Sequence, residues 1–211
     1  MFYLFDMDGV LVDSEPVITA ASIAGLAEYG VHAKPDDFIP FIGAGEDRFV
    51  GGVAEKYGAV YRVEMKKTVY EKYLEIVDKE LSVYPNTIST LNALREAGHI
   101  LGLASSADKI KIDANLKAAA IDRDLFSTII GGEDVKQKKP FPDIYLMAAE
   151  RLGANPSDCI VIEDAKNGIV AAKAANMRCV AVTTSFTREE LQNDEPDFII
   201  DDISELVSLT L

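Results

Sequence analysis

Short apolar runs of the length of single β-strands recur along the chain. In each run the apolar residues are continuous, which is typical of strands buried on both faces. From residue 100 onward the runs alternate with segments of helical periodicity, as in a parallel sheet covered by helices. We therefore predict an α/β fold, a Rossmann-like parallel sheet core wrapped by helices. The predicted strands are Phe2–Phe5, 100–105, 127–131, 159–164, 179–184 and 197–200.

The segments of helical periodicity begin and end at residues that suit helix termini. Asp143–Leu152 follows directly after Pro142 and stops before Gly153, and both residues are common at those positions. Two further helices are predicted at 110–119 and at 165–175, the second rich in alanine, as expected for a helix pressed against a sheet.

One long segment departs from this alternation. Residues 14–82 have helical periodicity, no convincing strand and a glycine-rich break at 42–52. Beyond it, Pro85 is predicted to open a new helix. We interpret 14–82 as a small all-helical cap domain inserted into a catalytic core made of 1–13 and 83–211.

Composition narrows the class of protein. The chain has 211 residues, of which 48% are hydrophobic, and carries 35 acids against 21 bases, for a net charge of -14. The acidic excess argues against nucleic acid or an anionic membrane as a partner, and a monomer is the default.

No run is long enough to span a membrane and the start does not resemble a secretory signal, so we expect a cytoplasmic protein. Cys159 and Cys179 are predicted to be buried and reduced, and His32 and His99 to lie at the surface.

Charged and hydroxyl side chains follow four of the predicted strands. Ligands of parallel α/β sheets bind beyond the carboxyl ends of the strands, so these side chains are predicted to converge. Carboxylates brought together repel one another unless a cation lies among them. Oxygen donors without histidine or cysteine favour a hard ion such as Mg²⁺. The residues concerned are Asp6, Asp8, Ser105, Ser106, Lys139, Glu163 and Asp164.

The first strand leads directly into two aspartates. Asp6 and Asp8 are two residues apart, a spacing that sends both side chains to the same side of an extended chain. Gly9 follows and allows a sharp turn and the close approach of a substrate. One carboxylate can attack phosphorus and form an aspartyl-phosphate, while the second serves as acid and then as base.

Four short motifs resemble, in order and spacing, those of the haloacid dehalogenase superfamily. They are DMDGVLVDS at 6–14, LASS at 103–106, KKP at 138–140 and VIEDAKNG at 161–168. The resemblance covers the whole chain. It is greatest to the branch of β-phosphoglucomutase and phosphoglycolate phosphatase, whose helical cap follows the first motif. Ala165 stands where the fourth motif often has serine.

The resemblance implies a role for each residue of the motifs. Asp6 would be the nucleophile and a Mg²⁺ ligand, and Asp8 the general acid and base, with its backbone carbonyl on the metal. Asp164 would be the main acidic metal ligand, and Glu163 a direct or water-mediated one. Substrate phosphate would be bound by Ser105, Ser106, Lys139 and Gly9, with Lys139 also holding Asp6. Ser106 is in addition predicted to cap the helix that follows it.

We predict a Mg²⁺-dependent phosphatase that hydrolyses a small phosphomonoester, such as a sugar phosphate, through an aspartyl-phosphate. One alternative is a phosphosugar mutase, although the histidine and arginine that serve the mutase cap have no counterpart near Ile18 and Glu46. A dehalogenase is less favoured, because a halide needs no proton from Asp8. A phosphoaccepting signalling domain and a non-catalytic binding protein remain further alternatives.

The glycine-rich segment of the cap is predicted to be a loop over the active site. Gly43, Glu46 and Arg48 are the candidates there for contact with substrate. Of the lysines that precede Pro140, only Lys139 is assigned to the site, and Lys136 and Lys138 are predicted to be surface charges.

Overall fold

The protein is described from a computed structural model covering residues 1–209. It contains a six-stranded parallel sheet in the order β5-β4-β1-β6-β7-β8 and a separate two-stranded antiparallel ribbon, β2 with β3. The strands are β1 (Phe2–Phe5), β2 (Val12–Asp13), β3 (Ser82–Val83), β4 (Ile100–Ala104), β5 (Phe126–Ile130), β6 (Cys159–Glu163), β7 (Arg178–Val182) and β8 (Phe198–Ile200). The helices are α1 (Glu15–Ala27), α2 (Glu46–Lys56), α3 (Val63–Glu80), α4 (Thr87–Glu96), α5 (Lys109–Ala118), α6 (Asp143–Leu152), α7 (Lys166–Ala174) and α8 (Arg188–Gln192).

The first strand lies in the middle of the sheet. Phe5 of β1 is in register with Leu103 of β4 on one side and with Ile162 of β6 on the other. Side chains alternate between two buried layers, because successive residues of a strand point to opposite faces. Phe5 packs in the layer that contains residues of α4 and α5, and Leu4 in the layer that contains residues of α6 and α7. Helices therefore cover both faces, and the predicted fold class is confirmed.

Each of the six predicted strands is present, with ends that differ from the prediction by one or two residues at most. The helix Asp143–Leu152 has the predicted bounds, and Gly153 has the left-handed conformation typical of a residue that ends a helix. The helices predicted at 110–119 and 165–175 are α5 and α7. Continuous apolar runs and terminal signals were thus sufficient to locate the core elements.

Helices α1, α2 and α3 form the cap and have a hydrophobic cluster of their own. Leu26, Phe38, Val50 and Val69 are buried in it. The chain enters and leaves this region through β2 and β3, which lie side by side as a two-stranded ribbon. These strands have two residues each and are too short to give a sequence signal. The division at 13/14 and 82/83 stays a prediction.

The glycine-rich segment at 42–52 is not a loop throughout, because α2 begins at Glu46. Gly51 and Gly52 are buried inside the helix. A Cβ at Gly52 would lie 2.4 Å from the ring of Phe41, and one at Gly51 would lie 3.0 Å from Tyr61. These glycines serve close packing within the cap, so the prediction of a loop over their positions is wrong.

The cysteines and histidines were also assigned places in the fold from the sequence. Cys159 and Cys179 are buried and free, as expected. His32 is exposed, as expected, and His99 is partly exposed, with its ring 5.1 Å from that of Tyr3. No helix in residues 1–209 has the length and apolar character needed to cross a membrane.

Candidate active site

The carboxyl ends of β1, β4 and β6 open into a cavity of about 90 Å³ between the core and the cap. All eight residues predicted to form the site line this cavity. They are Asp6, Asp8, Gly9, Ser105, Ser106, Lys139, Glu163 and Asp164. The structure therefore brings the set together, and the role of each member stays a prediction.

Lys139 is the cation at the centre of the acidic cluster. Its side chain is only 4% exposed, and Nζ lies 2.7 Å from Asp6 Oδ1 and 2.5 Å from Glu163 Oε1. Nζ also donates to the carbonyl of Ala104, at 3.3 Å. Burial disfavours the charged ammonium, but the two carboxylates outweigh burial and raise the pKa of Lys139. The lysine therefore remains protonated at neutral pH.

One lysine does not balance the acids that surround it. Burial, helped by Glu163 and Asp8, raises the pKa of Asp6 to about 7 despite the opposing charge of Lys139. Burial, followed by the charges of Glu163 and Asp6, places the pKa of Asp164 well above its ordinary value. One oxygen from each of Asp6, Glu163 and Asp164 lies within 4.8 Å of the others. This cluster lacks positive charge, and a cation would hold its carboxylates ionised.

The two oxygens of Glu163 already have hydrogen-bond partners. Oε1 accepts from Lys139 Nζ and from the hydroxyl of Tyr145, each at 2.5 Å. Oε2 accepts from the backbone N–H of Asp164 at 3.2 Å and of Ala165 at 3.3 Å. A carboxylate offers about four acceptor positions, and all of them are engaged here. Glu163 is therefore better suited to holding Lys139 in place than to ligating a metal ion.

Gly9 turns the chain away from the sheet in the space next to Asp164. Its φ is +84°, in the left-handed region, and a Cβ at this position would lie 1.9 Å from Asp164 Oδ2. Glycine is needed here both for the backbone conformation and for the approach of the carboxylate.

Asp8 has several hydrogen-bond partners. Its Oδ1 accepts from Ser14 Oγ at 2.5 Å and from Asn115 Nδ2 at 3.2 Å, and it lies 3.0 Å from Lys111 Nζ. Its Oδ2 accepts from Ser105 Oγ at 3.4 Å. The surrounding donors fix the carboxylate in one orientation toward the cavity.

Sequence reasoning missed Lys111, the second buried cation of the site. Its side chain is 4% exposed, and Nζ bridges Asp8 Oδ1 at 3.0 Å and Glu46 Oε1 at 3.2 Å. Burial opposes its charge, but Asp8 and Glu46 together raise the pKa of Lys111. It lies in the first turn of α5, where the helix dipole disfavours a cation. A lysine in the first turn of a predicted helix was therefore the feature of the sequence that could have pointed to Lys111.

The cap contributes part of the cavity wall. Gly43 and Glu46, two of the three candidates from the glycine-rich segment, line the cavity. Arg48 is directed elsewhere and pairs with Glu55 at 3.1 Å, with 59% of its side chain exposed. Helix α2 directs Glu46 inward and Arg48 outward, which a prediction of a loop could not distinguish.

Two predictions about neighbouring side chains are wrong. Ser106 does not cap α5, which begins at Lys109, and its hydroxyl is buried without a hydrogen-bond partner in the described residues. Lys138 is not a free surface charge, because it reaches the cap and lies 3.0 Å from Asp47 with 25% of its side chain exposed. Lys136 is exposed, as predicted.

Comparison with known proteins identifies the family. Residues 3–182 match the family described as haloacid dehalogenase-like hydrolase. The chain belongs to this family. The predicted superfamily and the predicted enzyme class, a hydrolase of phosphoric monoesters, are confirmed.

Individual relatives agree with the family. The chain is 42% identical to the chloroplastic protein SUPPRESSOR OF QUENCHING 1 of Arabidopsis thaliana, over 96% of this chain but only 20% of the relative. It thus spans about a fifth of that protein's length. It is 31% identical to hexitol phosphatase B of Escherichia coli strain K12, over 98% of this chain and 91% of the relative. The crystal structure of a predicted phosphoglycolate phosphatase from Haemophilus somnus 129PT superposes with a TM-score of 0.86 at 25% identity, covering 100% of this chain and 97% of the other.

Proposed function

We propose that the protein is a Mg²⁺-dependent phosphatase that hydrolyses a small phosphorylated metabolite through an aspartyl-phosphate on Asp6. The observation that carries this proposal is the arrangement around Asp6. Its carboxylate faces the cavity with Lys139 at 2.7 Å, and Asp8 lines the same cavity. A nucleophile, an acid–base group and a cation for the phosphoryl oxygens are therefore within reach of one substrate.

The residues present suit a magnesium ion. Asp6 and Asp164 offer hard oxygen donors, and burial together with the neighbouring carboxylates raises the pKa of each, an effect that a bound cation would oppose. Asp8 would contribute through its backbone carbonyl, and Glu163, whose oxygens are engaged, would hold Lys139 beside the ion. When bound, Mg²⁺ neutralises negative charge on the phosphoryl group and on the aspartates.

The protein's own residues carry the two steps of the reaction. Asp6 attacks phosphorus as the bond to the leaving oxygen breaks, and Asp8 gives its proton to that oxygen. Asp8 then takes a proton from water, which attacks the aspartyl-phosphate and releases phosphate. Lys139 orients Asp6 and balances the phosphoryl charge. The buried hydroxyl of Ser106, which has no partner in residues 1–209, is available to donate to a phosphoryl oxygen, and Ser105 would also donate.

The size of the cavity favours a small substrate. A volume of about 90 Å³ is small beside the roughly 300–1,000 Å³ of pockets that hold larger ligands, which favours a phosphoryl group with few further atoms. Relatives named as a hexitol phosphatase and a predicted phosphoglycolate phosphatase support a small phosphorylated metabolite. A mutase would hold the sugar with cationic cap groups, whereas this cap presents Ile18 and Glu46. The complete set of acids argues against a silent binding protein.

The nucleophile can be tested by replacing Asp6 with asparagine. We expect Asp6→Asn to lower kcat for 4-nitrophenyl phosphate, measured with Mg²⁺, by at least about 10³-fold, because the amide cannot attack phosphorus. The control is Asp158→Asn, which alters an exposed aspartate just before β6, at the opposite end of the strand from the site. Hydrolysis retained in Asp6→Asn would show that Asp6 is not the nucleophile. Wild-type activity that is unaffected by EDTA would contradict the metal requirement.

A further inference from the structure

Three charged residues form a cluster on the part of the cavity that adjoins the cap. They are Glu15 at the start of α1, Glu46 at the start of α2 and Lys111 in α5, and all three line the cavity. We call them the cap-side cluster. Lys111 also holds Asp8, but none of the three has been assigned a contact with the phosphoryl group, which leaves them available to the rest of the substrate.

Glu46 has an acceptor that no residue satisfies. The residue is 6% exposed, and Oε1 lies 3.2 Å from Lys111 Nζ. Oε2 is buried and has no hydrogen-bond partner in residues 1–209. A buried acceptor that is left unpaired destabilises the protein, and a charged one does so more strongly. A contact that only closes the cap onto the core needs Oε1 alone, as in the pair with Lys111. A bound ligand that donates a hydrogen bond would give Oε2 its missing partner.

Lys111 supplies a complementary donor. An ammonium group has three N–H donors, and Asp8 and Glu46 account for two of them. No third ion pair to this lysine occurs in the described part of the chain. Glu46 and Lys111 thus present one acceptor and one donor side by side. A hydroxyl group, which both donates and accepts, matches this pair.

The charge of the cap-side cluster excludes other groups. With two acids and one lysine it carries no excess of positive charge, and Lys111 is already paired with Asp8 as well. A carboxylate on the leaving group would meet Glu46 without a free cation to balance it. An ammonium group would satisfy Glu46 Oε2 but has no acceptor to offer Lys111, and the two cations would repel each other.

We propose that Glu46 and Lys111 together bind a hydroxyl group of the leaving alcohol, so that the site selects phosphomonoesters of neutral polyols over phosphorylated carboxylic acids. This inference rests on the proposed function, since it concerns the alcohol from which phosphate is removed. Glu46 and Lys111 are substrate-binding residues in this proposal and take no part in the attack on phosphorus.

The test compares substrates of similar size. Phosphate release is measured from glycerol 1-phosphate, phosphoglycolate and phosphoethanolamine, with 4-nitrophenyl phosphate as a generic substrate. We expect kcat/KM for glycerol 1-phosphate to exceed that for each of the other two metabolites at least tenfold. Glu46→Gln keeps the shape of the side chain but removes its charge and frees Lys111 for a substrate carboxylate. The ratio of kcat/KM for glycerol 1-phosphate to that for phosphoglycolate should therefore fall at least tenfold in this variant.

The matched control is Glu55→Gln. Glu55 lies in the same helix as Glu46, but its side chain is 56% exposed and does not line the cavity. In Glu55→Gln the ratio of kcat/KM for glycerol 1-phosphate to that for phosphoglycolate should equal the ratio in the wild type. Binding of glycerol 1-phosphate and phosphoglycolate to Asp6→Asn, measured by calorimetry with Mg²⁺, gives the same comparison without turnover, and glycerol 1-phosphate should bind more tightly.

The outcomes separate this inference from the proposed function. If the wild type releases no phosphate from any substrate, the proposed function is wrong and the inference falls with it. If 4-nitrophenyl phosphate is hydrolysed but phosphoglycolate or phosphoethanolamine is preferred, this inference alone is overturned. An unchanged ratio in Glu46→Gln would also overturn it.

Discussion

At the scale of single residues, two glycines make room for the acidic cluster. A Cβ at Gly168, in α7, would lie 1.8 Å from Glu163 Oε1, and a Cβ at Gly9 would lie 1.9 Å from Asp164 Oδ2. Each carboxylate occupies the volume that a larger residue would need. The positions of the acids therefore depend on residues that carry no functional group.

Replacing Gly9 with alanine should impair both stability and metal binding. The backbone at φ +84° costs a non-glycine residue about 1–2 kcal/mol, and the collision with Asp164 adds to this. Displacing Asp164 should also weaken the dependence of activity on Mg²⁺, raising the half-saturating concentration at least tenfold. Urea unfolding and a magnesium titration of activity measure the two effects.

Gly98→Ala is the matched control for Gly9→Ala. Gly98 has φ +82°, and a Cβ there would meet no atom of the described residues within 4 Å. Gly98→Ala therefore measures only the loss of stability that a positive φ causes in a non-glycine residue. Gly9→Ala should be less stable than this control by at least about 1 kcal/mol. Equal losses of stability, with normal magnesium dependence, would contradict the close packing of Gly9 against Asp164.

Single residues also show how far the sequence can predict the site. Asp6 and Asp164 follow strands, so their convergence was predictable from the topology of a parallel sheet. Lys111 and Asn115 lie inside α5, and their contact with Asp8 depends on the rotation of that helix and on the path of β1. Apolar periodicity in α5 is weakened because its buried face includes these polar residues. Such contacts across elements leave no local pattern in the sequence.

At the scale of elements, α5 is a part of the core that contacts the cap through several polar side chains. The hydroxyl of Tyr73, in α3, donates to Asn115 Oδ1 at 2.5 Å. Lys66, also in α3, lies 2.7 Å from Asp108, the residue before α5. Asn115 in turn donates to Asp8, so the helix connects the cap with the proposed acid–base group.

Removing the hydroxyl of Tyr73 should weaken this connection. Tyr73 is fully buried, and Tyr73→Phe leaves Asn115 Oδ1 without its donor, at a cost of about 1–3 kcal/mol. Because Asn115 also orients Asp8, kcat for 4-nitrophenyl phosphate should fall as well. Urea unfolding and steady-state kinetics measure the two effects.

Tyr29→Phe is the control, because the hydroxyl of Tyr29 bonds to Thr68 within the cap at 2.9 Å and makes no hydrogen bond to a core element in residues 1–209. We expect a smaller loss of stability and an unchanged kcat. A kcat as low as that of Tyr73→Phe would show that any loosening of the cap impairs catalysis, and that α5 has no special role.

At the scale of the whole molecule, the net charge of -14 includes buried acids with raised pKa values. An acid whose pKa is higher in the folded than in the unfolded protein binds protons more tightly when folded, so the free energy of unfolding falls as pH rises between the two values. For Asp6 the interval runs from 3.8 to about 7. Burial also raises the pKa of Glu15 to about 7, which adds to the same slope.

Magnesium should therefore stabilise the protein more at higher pH. A bound cation favours the ionised acids and competes with protons below pH 7. At a hundred times its dissociation constant, Mg²⁺ adds about 2.7 kcal/mol, which corresponds to a Tm increase of about 5–10 °C for a chain of this size. We expect this increase at pH 8 and less than half of it at pH 5.

Sodium chloride at matched ionic strength controls for screening of the net charge, and Asp164→Asn should abolish most of the response to Mg²⁺. An equal increase in Tm at pH 5 and pH 8 would contradict the link between the acidic cluster and the metal.

The central position of β1 also has a consequence for how the protein is made. During synthesis β1 leaves the ribosome before the two strands that flank it, with which it pairs at residues 100–103 and 159–162. At about 5–20 residues per second, the last of these partners appears about 8–30 s after Phe5. Throughout that interval at least one edge of the apolar strand, on the side of β6, has no strand to pair with. The nascent chain therefore exposes an aggregation-prone segment until most of the core has been synthesised, and we expect chaperones to recognise it there.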